Sequence, residues 1–414
     1  MKALDIGIAG AGPAGLAAAL FLARSGHRVE LIERFAEPAP VGSGLLMQPT
    51  GLTVLDALGL SSTIHALGNR IDRLHGADAR SGRTVLDVRY DALAGGRYGL
   101  AVHRAALFST LHDAVRAAGL PIRTGITLAK AETRQARTAL HDSDGEIVGD
   151  YDLVIDATGA RSQLAAASIV APHVKDLPWG AFWATLDCEG IDHEARALSQ
   201  RYDAAKVMIG LLPVGRAHPG EGRKVAFFWS LKTAQADAVK EAGLARWKAG
   251  IVDYWPQTAP FLDQITGWDQ LTLARYAHRT TLPPYADGIA FIGDSAHSTS
   301  PQLGQGANMA LLDAAALAHA LSSAASVEEA LSAYAAARRS HVRLFQLLSY
   351  LFTPFYQSDS QTIAWLRDRL VATVANVPPV PQVLAAIVSG TLADPFTRAG
   401  LKECRWLEAA LRQA

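Results

Sequence analysis

Apolar residues recur along this chain in three rhythms. Leu4–Ala9 is a short, mostly apolar run that predicts a buried strand. Ala14–Ser25 repeats apolar positions on a helical period, and His27–Glu33 returns to a strand. Strand, turn, helix, strand is a βαβ unit. Ala36–Gly51, rich in Pro, Gly and Ser, reads as a loop. Leu52–Leu58 and Ala105–Ala118 read as helices, the second capped by Gly119. Short strands follow over Ile122–Ile147, with a hairpin turn at Asp142-Ser143-Asp144-Gly145. Tyr151–Ala157 is another near-continuous apolar strand.

The pattern changes between Trp179 and Arg279, which hold six of the eight tryptophans and strand-like runs at Lys206–Leu212 and Val225–Leu231. That region predicts a mixed sheet with one or two helices, lying as a lid over the nucleotide-binding part. A short strand at Ile289–Ile292 leads through a loop into an apolar helix from Gly306 to about Leu321. Ser326–Ala414 reads as mostly helical, broken by prolines at 378–381. The expected fold is therefore α/β. A Rossmann-like domain is built from residues 1–175 and 281–325, and a mixed β-sheet substrate domain (176–280, joined by strands near 70–100) is inserted. A helical region, 326–414, follows.

Composition narrows the function. The 414 residues are half hydrophobic, and 39 basic residues balance 39 acidic ones, so nothing points to nucleic acid or an acidic membrane. Cys188 and Cys404 are too few and too far apart for a zinc site or a disulfide framework. The runs Leu16–Ala23 and Leu344–Phe355 fall short of the roughly 20 residues that span a bilayer. The N-terminal apolar stretch belongs to the first strand rather than to a leader. A cytoplasmic monomer or homodimer without metal is expected.

Two segments carry chemistry. In Gly10-Ala11-Gly12-Pro13-Ala14-Gly15 the first glycine permits a tight turn, the second lets the backbone approach a pyrophosphate, and the third allows helix to pack on strand. Glu33, with Arg34 beside it, ends the second strand where a carboxylate can accept hydrogen bonds from a ribose. This pattern leaves NAD and FAD open. The second segment runs Gly293-Asp294-Ser295-Ala296-His297, then Ser300-Pro301-Gln302-Leu303-Gly304-Gln305-Gly306-Ala307-Asn308. It follows a strand and opens a helix. Asp294 can bind a ribityl or ribose hydroxyl, and the N–H groups of Gly306, Ala307 and Asn308 can stabilise negative charge at a helix start.

GDSAHSTSPQLGQGAN resembles the GD(A/S)AH…P…GQG.N signature of the flavoprotein aromatic hydroxylases, the p-hydroxybenzoate hydroxylase-like class A flavin monooxygenases. The resemblance extends through GAGPAG…Glu33, the His103-Arg104 pair and the segment Asp152–Ser162. It implies that the first motif and Glu33 hold the ADP half of FAD. It further implies that Arg104 contacts the cofactor, that Asp294 binds the ribityl chain, and that Pro301 lies beside the flavin ring. The implied reaction is hydroxylation of an electron-rich aromatic or phenolic molecule by dioxygen through a flavin C4a-hydroperoxide, with NAD(P)H as reductant. The segment DLVIDATGARS departs from the pattern, because Thr158-Gly159 replaces the usual Asp-Gly and Asp156 lies two residues earlier. That change bears on how NAD(P)H reduces the flavin and keeps open a reductase or dehydrogenase of the same fold, acting on an isoprenoid or quinone. A carrier of structural FAD is the reading from another class.

The remaining candidates face plainer readings. His297 fits the loop as a structural residue. Tyr276 and His278, on a strand running toward the flavin loop, are candidates to help deprotonate a phenol, against an ordinary structural role. In each of the pairs Phe182-Trp183 and Phe228-Trp229, strand alternation lets only one ring reach a shared cavity. Met208 reads as core.

Overall fold

The protein is described by a computed structural model covering residues 2–406 except 39–41, 169, 171, 361, 364–366, 368 and 370–376. The opening βαβ unit forms as its pattern requires. The strands Asp5–Ala9 and Arg28–Ile32 pair in parallel, and Pro13–Arg24 is the helix between them, started by a proline at its first position. A six-stranded sheet grows around this unit in the order Tyr285–Ala286, Ile289–Phe291, Leu153–Asp156, Asp5–Ala9, Arg28–Ile32, Ile122–Arg123. All its pairs are parallel save the first. Ile8 stands opposite both Leu31 and Ile155, which accounts for the near-continuous apolar runs: a parallel sheet is covered on both faces. Helix Gly306–Ser323 is buried nearly all round and packs in one core with Ile6, Ile8 and Leu16.

A seven-stranded sheet forms the second layer, in the order Thr272–Thr280, His173–Asp187, Lys224–Lys232, Val207–Gly215, Ala197–Asp203, Arg73–Asp78, Thr84–Arg89. It is mixed, because Arg73–Asp78 joins Ala197–Asp203 in parallel while the other pairs are antiparallel. Phe182 and Trp229 point to a face covered by Trp247 and the helix Leu244–Tyr254. The long helix Val327–Tyr356 packs on Gly306–Ser323 and runs toward the second sheet.

Two local expectations change. The stretch read as a loop over Ala36–Gly51 contains the strand Gly44–Met47, and Pro49 begins the helix Pro49–Ala57 within it. The prolines at 378–381 mark a beginning as well as a break, since Pro381 sits in the first turn of the helix Val380–Ser389. Proline suits that position because its missing N–H has no intrahelical partner there anyway. The Asp142–Gly145 turn joins Arg137–Asp142 to Ile147–Tyr151, with Asp142 Oδ1 accepting from the N–H groups of Asp144 and Glu146. The neighbouring hairpin turn uses Gln135 and Ala136 at positive φ and carries no glycine signal.

Candidate active site

One cavity of about 710 Å³ reaches from the glycine turn of the six-stranded sheet to the face of the seven-stranded one. At the first end its shape is set by backbone. Gly10 has φ +100°, and a Cβ there would lie 2.7 Å from the Ala157 carbonyl oxygen; one on Gly15 would lie 2.0 Å from Gly10 O. These two glycines allow the close crossing of turn, strand and helix. Gly12 has a different task, for nothing lies within 4 Å of where its Cβ would point. Gly12, Pro13 and Ala14 line the cavity at the start of a helix that has no side-chain cap, so its first N–H groups are available to an anion. Gly15 lies behind this wall.

Glu33 is 8% exposed and lines the same end. Its Oε2 accepts from Ala11 N at 2.8 Å and its Oε1 from Phe35 N at 3.1 Å, leaving lone pairs for a further donor. Arg34 is beside it, 4.5 Å over the Phe35 ring. Arg104, the first residue of helix Arg104–Ala117, is also on the wall; its guanidinium makes no hydrogen bond or ion pair with the described residues. His103 caps that helix by accepting from Ala105 N at 3.2 Å.

The second loop closes the cavity's middle. Gly293, at φ +62°, leaves space for Ala14 and Ala310, whose Cβ atoms would be 3.3 and 3.1 Å from a Cβ on it. Asp294 opens into the cavity and has no hydrogen-bond partner among the described residues. Burial by the surrounding protein pushes its carboxyl pKa up, opposed by His297 and Arg104. Pro301, Gly304, Gly306 and Ala307 line the wall, Gly304 in the left-handed region and Gly306 opening a helix without a side-chain cap. Asn308 is off the wall: fully buried, it donates to Leu46 O at 3.1 Å and Gly304 O at 2.9 Å and accepts from Gln48 N at 2.8 Å. It holds the loop rather than facing the cavity.

His297 is likewise behind the wall. Asp313 accepts from His297 Nε2 and from Arg338 Nε, each at 2.6 Å, while its Oδ2 also takes the Gly293 N–H. Burial works to raise the Asp313 carboxyl, but His297 and Arg338 outweigh it and hold it at about 2. The irregular turn after Leu153–Asp156 is braced from inside. Asp156 Oδ1 accepts from Thr158 N and Oγ1 and Oδ2 from the Ser162 hydroxyl, while Arg279 donates to Ala160 O and Ser162 O. Thr158 and Gly159 line the cavity and Asp156 does not.

At the far end side chains make the wall. Trp183 and Phe228, paired across strands with ring centroids 4.8 Å apart, face the cavity while Phe182 and Trp229 face the opposite core, as alternation predicts. Met208, read as core, is 5% exposed and also forms part of the wall. Phe352 and Tyr356 reach in from the long helix. Tyr276 lines the boundary and accepts from Trp183 Nε1 at 3.0 Å. Burial raises its pKa, opposed by Trp183 and Arg104, so the hydroxyl is protonated at neutral pH. His278 is not on the wall. The register of its strand breaks against Asp176–Gly180, and it packs near Lys175 and the Tyr350 ring, its pKa lowered by burial and by Lys175. Gln48 and Gln357 also line the cavity. Gln48 lay in the supposed loop, where Pro49 as a helix start was the available signal; for Gln357 there was none.

The fit to FAD is specific. Gly12 leaves a cradle that any Cβ would enter, two uncapped helix starts face one cavity, and Asp294 has no hydrogen-bond partner among the described residues. These features on a Rossmann-like sheet define an FAD-dependent oxidoreductase. Residues 3–346 match the model described as FAD binding domain, and the chain belongs to that family. It is 31% identical over 322 residues to 3-amino-4-hydroxybenzoate 2-monooxygenase of Streptomyces cremeus, covering 76% of this chain and 77% of the relative. Identity to 3-hydroxybenzoate 6-hydroxylase 1 of Aquipseudomonas alcaligenes is 26% over 377 residues, covering 89% and 93%. In fold it is similar to Klebsiella pneumoniae HpxO complexed with FAD and uric acid (TM-score 0.79, 20% identity, coverage 94% and 98%). The class A flavoprotein monooxygenase resemblance is thus confirmed, and the chain is an FAD-dependent monooxygenase. Among the described residues no helix is long and apolar enough to cross a membrane.

Proposed function

We propose that the chain hydroxylates an electron-rich aromatic or phenolic small molecule, with NAD(P)H as reductant. The observation carrying this reading is the single cavity, which joins the dinucleotide motifs to an apolar chamber at the Pro301–Gly304 loop. Bound FAD, once reduced, supplies the activation of dioxygen. Gly12, Pro13 and Ala14 would hold its pyrophosphate, Glu33 with Arg34 the ribose side, and Asp294 a ribityl hydroxyl. Arg104 adds a cation. The N–H groups at Gly306 and Ala307 favour negative charge beside the ring. Pro301 and Gly304 line the cavity where the ring would be held, and the aromatic wall would exclude water. Tyr276, oriented by Trp183, donates its hydroxyl hydrogen to the substrate oxygen; its raised pKa suits a donor better than a base. In this reading 1–175 and 281–325 make the cofactor domain and 176–280 the substrate domain.

The test supplies the FAD-loaded protein with NAD(P)H, a panel of phenols and labelled dioxygen, and reads the product by mass spectrometry. One labelled oxygen atom in a product is expected. NAD(P)H consumption that yields only hydrogen peroxide, or an unlabelled reduced organic product, across the panel would replace this reading by an oxidase or a reductase.

A further inference from the structure

Three carboxamides line the far chamber; Gln200 has its Oε1 taken by the Tyr202 hydroxyl, whereas Gln48 and Gln357 each keep a buried polar atom without a partner among the described residues. Gln48 is 1% exposed and Gln357 4%. Tyr90 donates its hydroxyl hydrogen to Gln48 Oε1, which fixes the amide's orientation and leaves Nε2 unpartnered among the described residues. That nitrogen lies 3.7 Å from where a Gly304 Cβ would stand, so it flanks the loop at the chamber's inner end. Gln357 has neither Oε1 nor Nε2 partnered among the described residues.

The two amides stand at opposite ends of one floor. Ser358 donates its N–H to Ala205 O at 3.0 Å, which places Gln357 beside the turn that opens strand Val207–Gly215. Met208 clusters there with Tyr202 and Phe228, while Leu212 clusters with Tyr90, the partner of Gln48. Met208 and Leu212 lie four positions apart on one face of the strand, roughly 13 Å at the usual rise.

The chamber's other property is charge. The lining cations Arg34, Arg104 and Arg161 all come from dinucleotide-end segments, and Arg104 alone reaches the boundary, where Tyr276 feels it. Arg367 lies behind the wall, 5.3 and 5.5 Å from the Tyr202 and Tyr356 ring centroids, and donates to Ala204 O and Phe355 O. Among the described residues no cation lines this chamber beyond Arg104 at its boundary, so a carboxylate entering it would lose its hydration for little return, whereas unmet amide groups are satisfied by neutral donors and acceptors.

We propose that Gln48 and Gln357 select an uncharged, elongated aromatic substrate, longer than one ring. Its phenolic or carbonyl oxygen accepts from Gln48 Nε2 beside the reacting end. At the other end a donor–acceptor pair of the amide or hydroxyketone kind meets Gln357. This substrate class rests on the hydroxylase reading above, but its test does not require turnover. Quenching of flavin fluorescence in the FAD-loaded protein is titrated with three probes: a hydroxyanthraquinone, the same ring system bearing a carboxylate, and 3-hydroxybenzoate. The neutral three-ring probe should bind tightest, and Gln357→Leu should weaken it about ten-fold, the scale of one buried hydrogen bond. Gln357→Arg should turn the preference toward the carboxylate. FAD content and melting temperature establish that each variant is folded, and the wild-type ranking decides the matter even if one is not. Equal or tighter binding of either carboxylate by the wild type, or no binding of the neutral probe, would overturn the proposal. A neutral preference without labelled product would sink the hydroxylase reading alone; labelled product with a carboxylate preference would sink this one alone.

Discussion

The two ends of the cavity are built by opposite means. At the dinucleotide end the walls are main chain: Gly10, Gly12 and the turns at Gly293 and Gly304 place N–H groups and open space, and contiguous motifs supply nearly everything. At the far end, the proposed substrate end, the wall is side chains brought from strands at 74–88, 181–183, 198–212, 228 and 272–276, from the end of the long helix at 352–357 and from the helix at 384–388. The first end is therefore intolerant of added atoms and indifferent to distant residues. The second tolerates change of shape but depends on how separate elements pack.

The largest effect should come from breaking the main-chain end. Gly15→Ala sets a Cβ 2.0 Å from Gly10 O, a backbone atom that cannot swing away. We expect insoluble or unfolded protein, read by solubility and circular dichroism. Gly12→Glu should fold, since its Cβ meets nothing within 4 Å, yet purify without FAD, because the side chain enters the phosphate cradle and brings a like charge. A Gly12→Glu protein with full flavin absorbance would show that the cradle is not where the pyrophosphate lies.

Behind the boundary between the ends, Asp313→Ala removes the carboxylate shared by His297, Arg338 and the Gly293 N–H, at a cost of about 3–5 kcal/mol for a broken buried pair. Chemical denaturation measures it. The network also sets the acid limit of the fold. Burial, aided by Arg338, lowers the His341 pKa to about 3, and its Nε2 donates to Gly390 O. The unfolded chain takes up that proton near 6.5, so stability falls as pH drops from 6.5 toward about 3, by at most about 1.4 kcal/mol per pH unit. Asp313, held at about 2 against 3.8, adds its own loss only below 3.8. His341→Gln should reduce the slope of the first window, to which His27, His75, His103 and His278, also lowered by burial, contribute as well, and should leave the second.

This contrast also explains what was legible beforehand. The βαβ unit, Gly10–Gly15, Glu33 and the Asp294–Ala307 loop could be read because a cofactor cradle is local: spacing along the chain is spacing in space. Strand-like runs announced a mixed sheet, and alternation that one ring of each pair Phe182-Trp183 and Phe228-Trp229 would face a cavity; the seven-strand order and the choice of Trp183 and Phe228 are set by packing between distant segments. Asn308 and Gly15 carry the motif yet stand behind the wall, because a signature preserves what shapes a loop along with what touches a ligand. His278 shares strand parity with Tyr276, but a register break that no local pattern announces takes it away. Gln357 joins the wall only because the long helix ends beside the Ala204–Ala205 turn, a contact spanning some 150 residues.

A smaller pair of effects separates the faces of one strand. Phe182→Ala empties a fully buried site and should cost about 3–5 kcal/mol. Trp183→Ala enlarges the cavity instead, so the melting temperature should move less while the substrate KM rises several-fold. Equal thermal shifts with unchanged KM would remove Trp183 from the substrate wall.

The smallest expected change is at Tyr276, where the two ends meet. Tyr276→Phe deletes the acceptor of the Trp183 N–H and should destabilise the fold by about 1 kcal/mol, less if water takes the vacated place. That loss alone would not show contact with the substrate. If the hydroxyl also donates to the reacting oxygen, kcat should fall further than stability accounts for, while FAD content stays full. Restoring only the Trp183 partner then separates the roles, and Tyr276→O-methyltyrosine keeps an acceptor oxygen at the hydroxyl's place with no hydrogen to donate. Recovery of stability without recovery of kcat would place Tyr276 in the chemistry. Recovery of both would leave it as the support that aims Trp183 into the cavity.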